Sequence, residues 1–244
     1  MITPFYGSIG PLGRQYRQFG AAVDPRWDNL VAGWKLDEVS DGSAPVARAD
    51  VLGNYELTDN NTVASTTGLI GNAGAFVNAD VTSLSRATDA FAITAGGSLR
   101  FISAWIKPTA FGVGNRQFLS TNNSKEGGWV MYHSDTGLPV IILNRDGGST
   151  SIVGDAACTA GVWNFVAAWF NPTDSKLYLQ LDGGAPKASA AITLDAVNTT
   201  NIFAIGSISL NFDGAIDETY LFSAGSDVLA DDLYNTGAGR SYPN

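Results

Sequence analysis

The sequence predicts an all-β protein, an antiparallel sandwich of two sheets with one short C-terminal helix and an extended N-terminal arm. Three observations carry that prediction. Short runs rich in Val, Ile, Phe, Tyr and Trp recur from residue 30 to residue 222, separated by clusters of Gly, Asn, Asp, Ser and Thr, which is how strands joined by turns are written. Several of these runs alternate at period two. Helical spacing behind an N-cap residue occurs once, at Ser226–Tyr234.

Taken in order, residues 1–28 stand apart. They hold Pro4, Pro11 and Pro25, Gly7, Gly10, Gly13 and Gly20, and the aromatics Phe5, Tyr6, Tyr16, Phe19 and Trp27. No helical or strand period survives that punctuation. Arg14, Arg17 and Arg26 against Asp24 and Asp28 make the segment slightly basic, whereas the rest of the chain is acidic. Such a segment has aromatics to bury but cannot build a core alone. It reads either as a strap along its own domain or as an arm docking on a neighbouring subunit through Phe5, Tyr6, Arg14, Tyr16, Arg17 and Phe19. Residues 29–244 form the single remaining domain, with no internal repeat or linker.

Within that domain LVAGWKLDE, GSLRFISAWIKP, GGWVMYHS, LPVIILNR, GVWNFVAAWF, SKLYLQLDG, TTNIFAIGS and GAIDETYLF read as strands. In FISAWIK both faces are largely apolar, which suits a central strand of a packed sheet. In KLYLQLD, Leu177, Leu179 and Leu181 share one face while Tyr178 and Gln180 share the other, so a half-exposed strand is expected. Asp182-Gly183 after it is a hairpin signal, because primed turns require positive φ. The helix begins with Ser226 as N-cap and an acidic first turn, and Gly237 and Gly239 are its expected end.

Composition bounds function. With 45% hydrophobic and 15% charged residues the chain can bury a substantial core. A formal charge of −9 argues against nucleic acid and against an acidic membrane surface, both of which are bound through Lys and Arg. No apolar stretch approaches the length of a bilayer span, and no signal peptide opens the chain, so synthesis in the cytoplasm is expected. Cys158 is the sole cysteine, excluding an internal disulfide or a thiolate-rich zinc site.

The order of the runs carries a resemblance. LVAGWKLDE, AD-VLGNYELT, GNAGAFV and ISAWIKPT, then GVWNFVAAWF, SKLYLQLDGG, NIFAIGS, FDGAIDETYLF and the closing helix DVLADDLYNTG are similar to laminin-G-like, concanavalin A-like jelly-roll domains over about residues 30–242. The ending LYNTGAGRSYP resembles tails of such domains in bacteriophage virion proteins. The resemblance implies a jelly roll and a calcium ion held at one edge by oxygen ligands, here Asp37, Asp50, Asn54 and Asp217. Asp and Asn beside Gly are also ordinary turn formers, and that reading stays open. Glucan-cleaving relatives resemble a strand with alternating acids, and this chain departs from them. Asp217 and Glu218 are adjacent, with no further acid at the required alternation.

Sugar binding needs aromatic faces and amides at a rim. The candidates are Trp129, Tyr132, Asn122 and Asn123 in STNNSKEGGWVMYHS, with core packing as the alternative for the two aromatics. His133 has no nucleophile-elbow partner and reads as a surface or hydrogen-bonded structural histidine. Cys158 reads as an inert buried thiol. The functional expectation is a non-enzymatic virion surface or decoration protein, assembling with virion subunits or with itself. A free lectin module binding a cell-surface glycan, with calcium, is the alternative, and a glycoside hydrolase comes third.

Overall fold

The computed structural model describes residues 24–243 apart from 89, 98, 113, 122–126, 146, 196–201 and 207–209. Fifteen strands run through the described residues. They are β1 (Leu30–Trp34), β2 (Thr58–Asn60), β3 (Ala64–Thr67), β4 (Asn72–Phe76), β5 (Ser83–Ala87), β6 (Phe101–Pro108), β7 (Arg116–Ser120) and β8 (Trp129–His133). There follow β9 (Pro139–Arg145), β10 (Gly148–Val153), β11 (Asn164–Asn171), β12 (Lys176–Leu181), β13 (Lys187–Ala188), β14 (Ile202–Ile205) and β15 (Gly214–Phe222). One helix, α1 (Asp227–Tyr234), comes after them.

All pairings between the strands are antiparallel. One sheet has eight strands in the order β13-β12-β11-β6-β15-β4-β3, with β1 also on β15, and the other has seven in the order β10-β9-β8-β7-β14-β5-β2. The predicted sandwich is therefore present. Its interior is a single apolar cluster that includes Trp34, Ile102, Ala104, Ile106, Phe118, Trp129, Met131, Ile141, Leu143 and Phe203.

The eight-stranded sheet carries a second buried layer on its outer face, which the sequence reading did not anticipate. Phe101, Trp105, Phe165, Trp169, Tyr220 and Phe222 point away from the sandwich interior and are roofed by α1, the C-terminal tail and the turn Pro25–Trp27. Both apolar faces of β6 are thereby accounted for: Ile102, Ala104 and Ile106 inward, Phe101 and Trp105 outward. The same roof corrects the expectation for β12. Tyr178 stacks on Trp169 at 5.3 Å, and Gln180 is buried with its amide donating to Asp231 of α1 at 2.9 Å.

Trp27 belongs to this layer. It is 4% exposed and lies 5.0 Å from Tyr220, 5.9 Å from Phe222 and 5.4 Å from Tyr242. Asp24 caps the turn by accepting the Arg26 N–H, and Arg26 also pairs with Asp232 of α1 at 3.1 Å. The segment read as an arm is thus packed on its own domain from Asp24 onward. Phe5, Tyr6, Arg14, Tyr16, Arg17 and Phe19 lie outside the described residues.

Local signals are met with small shifts. Asp182 and Gly183 both take positive φ, as the turn requires. Ser226 caps α1 by accepting the Leu229 N–H at 3.4 Å. The helix ends earlier than Gly237, because Asn235 adopts the left-handed conformation and its N–H reaches Asp231 O.

Candidate functional site

The outer face of the seven-stranded sheet is where side chains gather without a roofing helix. Alternation along β8 sends Trp129 and Met131 into the interior and Val130 and Tyr132 to the opposite face. On β9 it sends Ile141 and Leu143 inward, Ile142 and Asn144 outward. Register then joins neighbours across strands: Ser149 stands opposite Asn144, Val130 opposite Ile142, and Gln117 opposite Tyr132. With Asn115 and Leu210 at the rim, these side chains line a cleft of about 260 Å³. Its floor is Val130 and Ile142, and its walls are one phenol ring, three amides and a hydroxyl.

Each wall group has a defined role available to it. Amides donate and accept at once, a serine hydroxyl does the same, and a tyrosine ring offers a flat apolar face with a polar tip. Burial raises the Tyr132 hydroxyl above its ordinary value, so it remains a neutral O–H donor. The rim is fixed by the Gln117 N–H donating to Leu210 O at 2.8 Å. No acidic residue lines the cleft among the described residues. The carboxylate pair that glycoside hydrolysis requires is not among its walls.

The sugar candidates from the sequence divide. Tyr132 lies in the cleft. Trp129 does not: it is 0% exposed, packs in the interior, and donates its indole N–H to Phe91 O at 2.6 Å. The two residues are an odd number apart on one strand, so they face opposite ways and cannot both serve a ligand. Asn122 and Asn123 lie outside the described residues. Asn115, Gln117, Asn144 and Ser149 were missed. The alternation of Val140, Ile142 and Asn144 hinted at Asn144, but its neighbours depend on cross-strand register, which no local pattern fixes.

The carboxylates expected to hold calcium instead hold backbone. Asp50 Oδ1 accepts the Gly33 N–H at 2.9 Å, and its Oδ2 accepts those of Asn54 at 2.9 Å and Tyr55 at 3.2 Å. Asp217 Oδ2 accepts the Leu69 N–H at 2.8 Å and the Ile70 N–H at 3.1 Å, while its Oδ1 accepts that of Glu218 at 2.8 Å. Asp37 Oδ1 accepts the Asn72 N–H at 2.8 Å. Asp37 and Asp217 therefore converge on the turn between β3 and β4, whereas Asp50 and Asn54 tie a different loop to β1. The Asn54 side chain is exposed. Among the described residues no group of three or more His, Cys, Asp or Glu could hold a metal ion. Asp50 and Asp217, with both carboxylate oxygens committed to N–H donors, do not fit a cation that wants six to eight oxygen ligands.

Asp217 and Glu218 sit at a bulge of β15, where Glu218 takes a φ of 43° and the register against β6 shifts. Burial pushes the Asp217 carboxyl up to about 8, against its backbone N–H bonds, which pull it down. Burial likewise pushes Glu218 up to about 7, against the hydrogen bond donated by the Tyr220 hydroxyl. Both acids belong to the eight-stranded sheet, away from the cleft. Cys158 is buried and its thiol is pushed up to about 12, which leaves it unreactive at neutral pH.

The family profile of the concanavalin A-like lectin/glucanases superfamily matches residues 75–225. The chain belongs to this superfamily. Among solved structures, this concanavalin A-like domain is similar to domain 4 of AbnA, a GH43 extracellular arabinanase from Geobacillus stearothermophilus, solved in complex with arabinotriose. The TM-score is 0.62 at 16% identity, over 87% of this chain and 98% of that one. It is also similar to the binding domain of paraclostridial mosquitocidal protein 1, with a TM-score of 0.65 at 17% identity over 87% of this chain and 53% of that one. The receptor binding domain of botulinum neurotoxin type G gives 0.58 at 12% identity, over 86% of this chain and 51% of that one. At these identities the likeness is one of fold. No curated protein matches the chain.

Proposed function

We propose that this chain is a non-enzymatic carbohydrate-binding module whose site is the cleft on the seven-stranded sheet. The observation that carries the reading is the meeting of Tyr132 with the side chains of Asn115, Gln117, Asn144 and Ser149 over an apolar floor. A sugar presents hydroxyls that both donate and accept, plus an apolar C–H face. Neutral amides and one aromatic ring answer those features, where charged groups would not. Superfamily membership supports the reading, as does the trisaccharide in the arabinanase domain.

The test is a glycan panel measured by calorimetry with intact protein and with Tyr132→Ala. Binding of a neutral oligosaccharide that Tyr132→Ala weakens about fivefold supports the site, one good ring contact being worth roughly 1 kcal/mol. Binding that is indifferent to Tyr132 moves the site elsewhere. Cleavage of any oligosaccharide in the panel overturns the non-enzymatic part.

A setting on a bacteriophage particle is the finer proposal, supported by the resemblance of LYNTGAGRSYP to virion-domain tails and by a residue 1–23 segment with two arginines and no acid. The module would then decorate a particle or self-assemble through Phe5, Tyr6, Arg14, Tyr16, Arg17 and Phe19. Sedimentation of the full chain against one beginning at Asp24 tests it: loss of an oligomer on truncation supports the proposal, and equal monomers oppose it.

A further inference from the structure

His133 is the chain's one histidine and follows Tyr132 on β8, so the two side chains leave the strand on opposite faces. Tyr132 enters the cleft and His133 the interior, where it is 1% exposed. Its Nδ1 lies 3.0 Å from Ser134 O, and a carbonyl only accepts, so Nδ1 carries the proton. Nε2 is then an unprotonated acceptor, buried with no hydrogen-bond partner among the described residues. The imidazole stands edge-on to Phe111 at 5.0 Å and to Phe212 at 5.9 Å.

These two phenyl rings tie the histidine to the cleft rim. Phe111 lies just upstream of Asn115, and Phe212 just downstream of Leu210, both of which line the cleft. The Phe111 loop is held by the Gly112 N–H donating to Asp135 O at 2.7 Å, and the Phe212 loop by the Gln117 N–H donating to Leu210 O at 2.8 Å. Charged residues flank the histidine in register and in sequence. Arg116 is its register partner on β7, Pro139 on β9 is uncharged, Asp135 lies in the turn after β8, and Asp213 follows Phe212. Residues 109–115 contain no titratable side chain.

We propose that His133 is an acid-sensitive latch on the cleft: protonated at Nε2 it can no longer stay between Phe111 and Phe212, and its departure parts the loops that carry Asn115 and Leu210. The inference rests on the cleft being the binding site. A proton on Nε2 turns a buried acceptor into a cation in an imidazole packed between two hydrocarbon rings, and a buried charge without a partner is expensive. Burial accordingly lowers the affinity of this imidazole for a proton, and the Arg116 cation lowers it further. Neutral conditions favour the closed loops. As pH falls below the ordinary histidine value of about 6.5, the opened state, in which the ring is solvated, takes up the proton and gains population.

A single histidine makes the test direct. In the intact protein the imidazole C–H resonance follows His133 protonation, and amide exchange at Gln117 reports on the bond to Leu210. Two results are expected. The resonance titrates below 6.5, and Gln117 exchange, corrected for its intrinsic rate, rises about tenfold from pH 7.5 to pH 5 while that of Ala167 in β11 does not rise, since Asp217 and Glu218 stabilise the fold as pH falls. His133→Phe, which keeps an aromatic ring in the box, abolishes that rise, and His133→Leu does the same if the phenylalanine variant fails to fold. Titration at an ordinary value, exchange indifferent to pH, or pH-dependent exchange that survives the substitution overturns the latch. None of these measurements uses a ligand. If they hold while no oligosaccharide binds at either pH, the latch stands and the carbohydrate reading falls.

Discussion

The Trp27 indole lies 5.0 Å from the Tyr220 ring, joining the first described turn of the chain to the long central strand β15. A boundary drawn after residue 28 would cut through this contact and leave Tyr220, Phe222 and Tyr242 uncovered on one side. A chain beginning at Asp24 keeps this contact. One beginning at Asp28, or Trp27→Ala in the full chain, should lose roughly 3–5 kcal/mol, or about 2–4 °C per kcal/mol at this size. Differential scanning calorimetry checks both, and equal melting of the two truncations would refute the packing.

The opposite placement of Trp129 and Tyr132 separates stability from binding. Trp129→Ala opens a cavity in the interior and orphans Phe91 O, so a cost of about 3–5 kcal/mol is expected. Tyr132→Ala and Asn144→Ala should change stability by less than about 1 kcal/mol while weakening oligosaccharide binding. Urea titration and calorimetry on the same preparations compare the two effects. Strong destabilisation by Tyr132→Ala would place that ring in the core after all.

The buried pair Asp217 and Glu218 predicts stability that falls as pH rises. Their carboxyls titrate at about 8 and about 7 in the folded chain, against ordinary values of 3.8 and 4.5. The folded state therefore holds more protons than the unfolded state between about pH 4 and 8, and its stability is fully present below that window and lost across it. His133 acts in the opposite sense but only below about 6.5. The melting temperature should accordingly drop between pH 6.5 and 8.5, and Glu218→Gln, still able to accept from Tyr220, should shrink the drop. A flat profile in the intact protein would count against the pair.

Calcium bears on the same residues. With Asp50 and Asp217 committed to backbone N–H groups, melting in calcium and in chelator should agree within about 1 °C, since a ligand stabilises only what it binds. A clear rise with calcium would mean that the carboxylates exchange their amides for the ion, and elemental analysis would then count it.

Strand identity was readable from the sequence because it is written locally. Period two, turn residues at fixed offsets and β-branched or aromatic enrichment do not depend on what a strand packs against, so the runs containing β6, β8, β9, β11, β12, β14 and β15 could be found one at a time. The Ser226 cap and the Asp182-Gly183 turn are local in the same sense. So is the alternation that separates Trp129 from Tyr132, once one face is known to be buried.

What only the tertiary structure decided is which face meets which. Gln180 reads as solvent-facing along β12 because nothing within that run announces α1, whose Asp231 covers it from far along the chain. Asp37 and Asp217 look like metal ligands when viewed as acids. They become turn anchors because the bulge of β15 and the chain after β1 both reach the β3–β4 turn. The cleft depends on the pairs Ser149–Asn144, Val130–Ile142 and Gln117–Tyr132 falling on one face of four strands, and a slip of one residue in any strand would turn its contribution to the other face. Composition and period determined that this chain makes a sandwich. Register, the long-range product of all the pairings together, decided that one of its faces holds a cleft.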